Sequence, residues 1–191
     1  MSQMVIRRAD RPGDLGWVVK AHGEVYAQEF GWDTSFEALV ARIVADYAND
    51  HEPEREAAWI AELDGQRVGC VFCVRGPDEA TAKLRILLVH PDGRGLGLGG
   101  ALVDTCLEFA RSAGYERMML WTNDPLVAAR KLYLARGFRL TAEEPHHSFG
   151  VDLIGQTYEA PLIGADPAGL ECRDPADRSD VPVDAPARGA C

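Results

Sequence analysis

The 191-residue sequence predicts an α/β (α+β) domain in which a mixed sheet carries helices on both faces. Three observations predict it. Two stretches with apolar residues every three to four positions come first, then three strand-like runs between Ala57 and Val89, then helices and strands in alternation up to Pro161. The resulting order, β-α-α-β-β-β-α-β-α-β-β, combines adjacent hairpin strands with βαβα units, which is why the sheet should be mixed.

Val5-Ile6-Arg7 is a short first strand. From about Asp14 to Phe30, residues such as Leu15, Val18, His22, Val25, Tyr26 and Glu29 recur at helical spacing. A second helix is expected from about Ser35, read as its N-cap, to Tyr47, with Phe36, Val40 and Ile43 in its stripe. Ala57 to Leu63 should turn through Asp64-Gly65 into Arg67 to Val74, and Ala82 to Val89 follows. The remainder reads as a helix over about 99–113, a strand over 118–122, a helix over 125–136, and strands over 138–142 and 156–161.

A composition of 47% hydrophobic and 26% charged residues is that of a globular protein. No apolar run approaches the roughly 18 residues of a membrane span, and the first residues lack a signal-peptide core, so no membrane partner is expected and the cytoplasm is the expected location. The net charge of −10 disfavours nucleic acid, because it repels phosphate backbones. Five cysteines, odd in number and unevenly spaced, form no disulfide framework. Cys70-Val71-Phe72-Cys73 has the CxxC spacing, but in a strand these two thiols point to opposite faces and no second ligand pair follows. No metal site is expected. The body is expected to end at residue 163. Residues 164–191 hold six acids, three arginines and four prolines but few large apolar side chains, and read as a flexible acidic tail.

Chemistry enters at Leu87-Leu88-Val89-His90-Pro91-Asp92-Gly93-Arg94-Gly95-Leu96-Gly97-Leu98-Gly99-Gly100, where a strand runs through glycines into a helix. Glycines let the main chain approach a ligand, and the unpaired N–H groups at the helix start favour an anion such as a pyrophosphate. Arg94 adds a charged donor. A Walker A loop would need Gly-Lys-Ser/Thr, which is absent. Gly95-x-Gly97-x-x-Gly100 satisfies the dinucleotide count, but the region of the expected acid reads Leu120-Trp121-Thr122. The pattern Gln/Arg-x-x-Gly-x-Gly/Ala is met by Arg94, Gly97 and Gly99. Downstream, Ala129 and Tyr133 share a helix face and Gly137-Phe138 follows as a helix stop.

These two motifs resemble the coenzyme A loop and the tyrosine helix of GNAT acetyltransferases. The similarity runs over residues 5–162. It is greatest to the acetyltransferase half of bacterial proteins that fuse a MarR-type DNA-binding domain to a GNAT domain, through His22-Gly23-x-x-Tyr26-Ala27-x-Glu29-Phe30-Gly31-Trp32, Ala82-Lys83-Leu84-Arg85-x-Leu87-Leu88-Val89, Leu120-Trp121-Thr122-Asn123 and Glu144-Pro145-His146-His147-Ser148-Phe149-Gly150. The DNA-binding half is not expected, since the sequence opens on the first acetyltransferase-like strand. Many GNATs place Asn three residues before the Ala129 position; here that residue is Leu126, and Asn123 is the candidate substitute.

The resemblance implies a mostly antiparallel sheet of six to seven strands and an acetyl-CoA-dependent N-acetyltransferase. The acceptor would be a small-molecule or peptide amine that attacks directly in a ternary complex. The chain would be a monomer or homodimer. Tyr133 would protonate the coenzyme A thiolate, and backbone N–H groups near Leu88 and Val89 would meet the oxyanion. Glu29 is favoured as general base over His147 and His22. Tyr26, Trp32, Arg85 and Trp121 would shape the acceptor site, with Arg85 either binding an acceptor carboxylate or pairing with a helix acid. A non-catalytic acyl-CoA sensor and a nicotinamide oxidoreductase are the alternatives.

Overall fold

The computed structural model describes residues 3–162; the expected boundary at residue 163 and the tail lie outside the described residues. The element order is β1 (Met4–Arg8), α1 (Asp14–Phe30), α2 (Thr34–Asp50), β2 (Ala57–Leu63), β3 (Gln66–Arg75), β4 (Thr81–Val89), α3 (Leu98–Ser112), β5 (Arg117–Asn123), α4 (Val127–Leu134), β6 (Arg139–Ser148) and β7 (Val151–Pro161). A single 3₁₀ turn, Pro91–Gly93, separates β4 from the glycine loop. All seven strands join one sheet in the order β1-β2-β3-β4-β5-β7-β6. Every pairing is antiparallel except β4 with β5.

The helices divide between the two faces because each strand alternates its side chains. Cys73, Leu84, Leu120 and Tyr158 pack with α3 and α4 on one face, while Cys70, Phe72, Ile86 and Leu153 pack with α1 and α2 on the other. The two thiols of the CxxC spacing therefore lie in different cores, and both are fully buried. Asp64-Gly65, with both φ values positive, closes the β2–β3 hairpin.

Two expectations are corrected. Asp33, not Ser35, caps α2, its carboxylate accepting from the Ser35 N–H at 2.9 Å. The last two strands are far longer than 138–142 and 156–161. β6 lies at the sheet edge with mostly exposed side chains and Pro145 in its run, so no apolar alternation announced it.

One irregularity positions the site. The β3–β4 register slips between Cys70 and Phe72, and opposite it Ile86 holds φ at +52°, a costly conformation for a β-branched residue. The slip turns both Arg85 and Ile86 toward α2 and α1. Parallel pairing with β5 stops at Leu84–Leu120, so the ends of the two strands part and Leu87, Leu88 and Val89 have no strand partner on the β5 side.

Candidate active site

The parting of β4 and β5 opens into a cavity of about 500 Å³, a size that suits a small ligand. Its walls are the C-terminal turn of α1 with Tyr26, Glu29 and Phe30, the end of β4 from Leu87 to Val89, the glycine loop, and the start of α4 with Ala129 and Leu132. The floor is apolar and the loop end is rich in main-chain N–H groups.

Gly95 and Gly97 hold φ at +79° and +75°, and a Cβ at either position would meet nothing within 4 Å. Gly97 is also the N-cap of α3, where no side chain caps the first turn. The uncapped donors and the helix dipole fit an anionic group such as a pyrophosphate. Gly99 and Gly100 answer a packing demand as well: a Cβ there would lie 2.8 Å from the Leu132 side chain and 2.5 Å from the Arg136 guanidinium. Arg136 is itself held by Asp104 at 2.6 Å, which fastens α4 to α3. Leu98 is buried beneath the loop, whereas Leu96 is half exposed and does not line the cavity.

Arg94 and Glu29 form an ion pair at 2.7 Å, and the Arg94 Nε donates to the Val89 carbonyl at 3.2 Å. No sequence signal linked these residues, which lie on different elements and meet only because α1 ends above the loop. Tyr133 is 5% exposed and is not in the cavity wall. Its ring packs 5.8 Å from Phe138 and 6.4 Å from Tyr158, between centroids.

A model of the acetyltransferase (GNAT) family matches residues 11–138. The chain belongs to the GNAT acetyltransferase family. Among curated relatives, an uncharacterised N-acetyltransferase of Schizosaccharomyces pombe is 30% identical over 122 residues, which cover 64% of this chain and 74% of that protein. The N-acetylaspartate synthetase of Danio rerio is 37% identical over 92 residues, 48% of this chain but 33% of the synthetase. Human N-acetyltransferase 8B is 34% identical, over 47% of this chain and 41% of that protein. The chain thus spans under half the length of the latter two. An acetyltransferase of Salmonella typhimurium solved with acetyl-CoA superimposes at a TM-score of 0.69 with 22% identity, covering 87% of this chain and 99% of that one. The ribosomal-protein-alanine N-acetyltransferase of Brucella melitensis gives 0.66 at 19% identity, over 82% of this chain and 99% of that one. At these identities the two structures share the fold.

In this GNAT chain the expected acceptor residues do not form one cluster. Tyr26 reaches the cavity wall. His22 is fully enclosed: its ring stacks on Tyr26 and its Nδ1 bonds the Val18 carbonyl at 2.8 Å. Burial pushes its pKa down to about 4, so it is a neutral packing group without access to solvent. Trp32 is buried among Tyr26, Phe36 and Phe149. Trp121 lies against Gly155 and His146, half buried. His147 is exposed and paired with Asp152 at 2.7 Å. Asn123 is fully buried, its Oδ1 bonded to His146 at 2.9 Å, and it does not line the cavity. Arg85 opens on a second cavity of about 240 Å³ between α2 and the sheet. His22 and Tyr26 owe their placement to packing: both lie on the apolar stripe of α1, which closes on the sheet and encloses the His22 ring. No helix among the described residues is long and apolar enough to cross a membrane.

Proposed function

We propose that the chain transfers an acetyl group from acetyl-CoA to a primary amine of a small molecule, amino acid or peptide, by direct attack in a ternary complex. The observation that carries this reading is a continuous cavity joining the uncapped start of α3 to the place where β4 and β5 part. Acetyl-CoA, when bound, supplies an activated acetyl group as a thioester. Gly95, Gly97 and the first N–H groups of α3 would hold its phosphates, with Arg94 as charged donor. Leu87 to Val89 would direct main-chain donors toward the acetyl oxygen, and alignment of the two reactants would itself contribute much of the acceleration.

Glu29 is proposed to take the proton of the attacking amine. Its contact with Arg94 requires that the phosphates draw the guanidinium away, which would couple release of the base to coenzyme binding. Tyr133 is proposed to protonate the departing thiolate, a role that needs its helix to bring the hydroxyl to the cavity from the adjoining core. The narrower likeness to MarR–GNAT fusions, a location in the cytoplasm, a body ending at residue 163 and a monomeric or homodimeric state belong to the same proposal.

The position of Tyr133 outside the cavity wall favours a second reading, a GNAT fold that binds acyl-CoA without turning it over. Titration calorimetry and a coenzyme A release assay with an amine library separate the two, since a sensor binds acetyl-CoA and releases no thiol. Gly97→Glu, which sets a charged side chain where phosphates would approach, should abolish acetyl-CoA binding, while Gly97→Asn, tolerant of positive φ, should retain part of it. Unchanged affinity in a folded Gly97→Glu protein would remove the coenzyme from this loop.

A further inference from the structure

The larger cavity lies where β4 and β5 part, and its walls come from both sides of the sheet. The glycine loop and Leu132, against which Gly99 packs, form the half proposed for the coenzyme. The other half is walled by the last turn of α1, with Val25, Tyr26, Glu29 and Phe30, and by Leu88 and Leu126, which belong to the core beneath α1 and α2. Tyr26 and Phe30 are four residues apart and share one face of the helix, as do Val25 and Glu29. Gly31 ends α1 at a φ of +70°, its N–H bonded to the Ala27 carbonyl at 3.1 Å. The chain folds back there and sets the Trp32 ring 5.0 Å from Tyr26, between centroids. Phe30 is left at the rim, its ring 5.6 Å from Tyr26 and 5.8 Å from Trp32, and of these three it alone is not buried. Among the described residues the cavity wall carries two charged side chains, Glu29 and Arg94, and these are paired with each other at 2.7 Å.

Resting on the acetyl-transfer reading, we propose that the acceptor is a primary amine with an apolar body, an alkyl or aromatic amine without a carboxylate, and that Phe30 sets this preference. The acetyl group would be presented in the gap between the strands, so the space beneath the end of α1 falls to the acceptor. Glu29 is the one acid in the wall to meet an ammonium. An acceptor carboxylate would find only Arg94, whose charge the coenzyme phosphates would occupy. Val25, Phe30, Leu88 and Leu126 have no polar side-chain atom, so a polar body lying there would lose its hydrogen bonds to water without replacing them. An apolar body gains instead, because it takes the half-exposed Phe30 ring and itself out of water together. In the transfer the ammonium gives one proton to Glu29, and its nitrogen then bonds the acetyl carbon as the carbon–sulfur bond breaks. The electron pair of that bond leaves on sulfur, and loss of the second proton from nitrogen is balanced by protonation of the thiolate.

The test uses the full chain, saturating acetyl-CoA and the straight-chain amines from ethylamine to pentylamine, whose basicity hardly changes along the series. kcat/KM should rise about fourfold per methylene, the factor for burying one CH₂ group. 2-Phenylethylamine should exceed phenylalanine, which adds a carboxylate beside the same amine, by about tenfold or more, since that charge finds no partner. Phe30→Ala should cut the rise to less than about twofold per methylene, mainly through KM, and Phe30→Leu should restore most of it. Rates independent of chain length, phenylalanine used as well as 2-phenylethylamine, or an unchanged rise in Phe30→Ala would overturn the proposal. In parallel, the same amines are titrated calorimetrically into the protein with coenzyme A present. Affinity that grows with chain length, and no longer does so in Phe30→Ala, supports the apolar site even if no amine is acetylated, an outcome that would sink only the transfer reading. Affinity independent of chain length counts against the site directly.

Discussion

Glu29 and Arg94, 2.7 Å apart, illustrate what single residues do here: each was assigned a separate task from its local pattern, and the fold joins them. Tyr133 is the other such case. Tyr133→Phe keeps the ring among Phe138 and Tyr158, so packing should survive. If the hydroxyl acts as the acid, turnover should fall about 10²-fold, near the lower end for positioned acid catalysis, because a thiolate leaves readily; acetyl-CoA affinity should move far less. A folded variant that keeps more than about half of wild-type turnover would make Tyr133 a packing residue. His22 sets a pH dependence. Its folded pKa, about 4, lies below the ordinary value of 6.5, so the unfolded chain binds the proton first. The stability it contributes is full above about pH 6.5 and is lost as pH falls toward 4, with a slope of at most about 1.4 kcal/mol per pH unit. The paired carboxylates of Asp14, Glu62 and Asp78 are held below their usual range and lose stability only at lower pH, after His22. Thermal melts of the wild type between pH 6.5 and 4.5 should therefore slope more steeply than those of His22→Phe; equal slopes would contradict the assignment.

At the level of elements, α1 is tied to the sheet by Asp14, which is fully buried in its first turn. Its carboxylate meets Arg7 of β1 at 2.7 and 3.0 Å, Arg67 of β3 at 2.7 Å and the Arg11 N–H at 3.0 Å. Burial alone would raise its pKa, but the hydrogen bonds from Arg7 and Arg67 outweigh it and hold the acid ionised. Asp14→Asn keeps the shape and removes the charge opposite two guanidinium groups. The expected loss is about 3–5 kcal/mol, read from the midpoint of urea unfolding, and a loss below about 1 kcal/mol would show that the network is not a clasp. Elements with a buried face were legible in advance: the stripes of α1 and α2, the β2–β3 hairpin and the strand before the glycine loop all followed from period and turn residues. The β6–β7 hairpin was not, since an exposed edge strand needs no apolar alternation and its pairing with β7 is decided by register.

For the molecule as a whole, residues 164–191 remain an expectation from composition. Their deletion should move the melting temperature by no more than a few degrees, because few of their side chains can add to a core. A loss of several kcal/mol on deletion would show that the segment packs on the body or on a second subunit. Sequence alone determined the order of strands and helices and the place of the glycine loop. Both depend on short-range rules: alternation, helical spacing, and the freedom of Gly95 and Gly97 to hold positive φ at a helix start. Tertiary structure decided which of the marked residues reach the cavity. Beyond Leu84 the end of β4 parted from β5, the β3–β4 register slipped opposite Ile86, the end of α1 carried Glu29 to Arg94, and packing enclosed His22, Trp32 and Tyr133. Those outcomes depend on contacts between residues tens of positions apart, and on the competition for burial that apolar and amphipathic side chains settle only when the two faces of the sheet close.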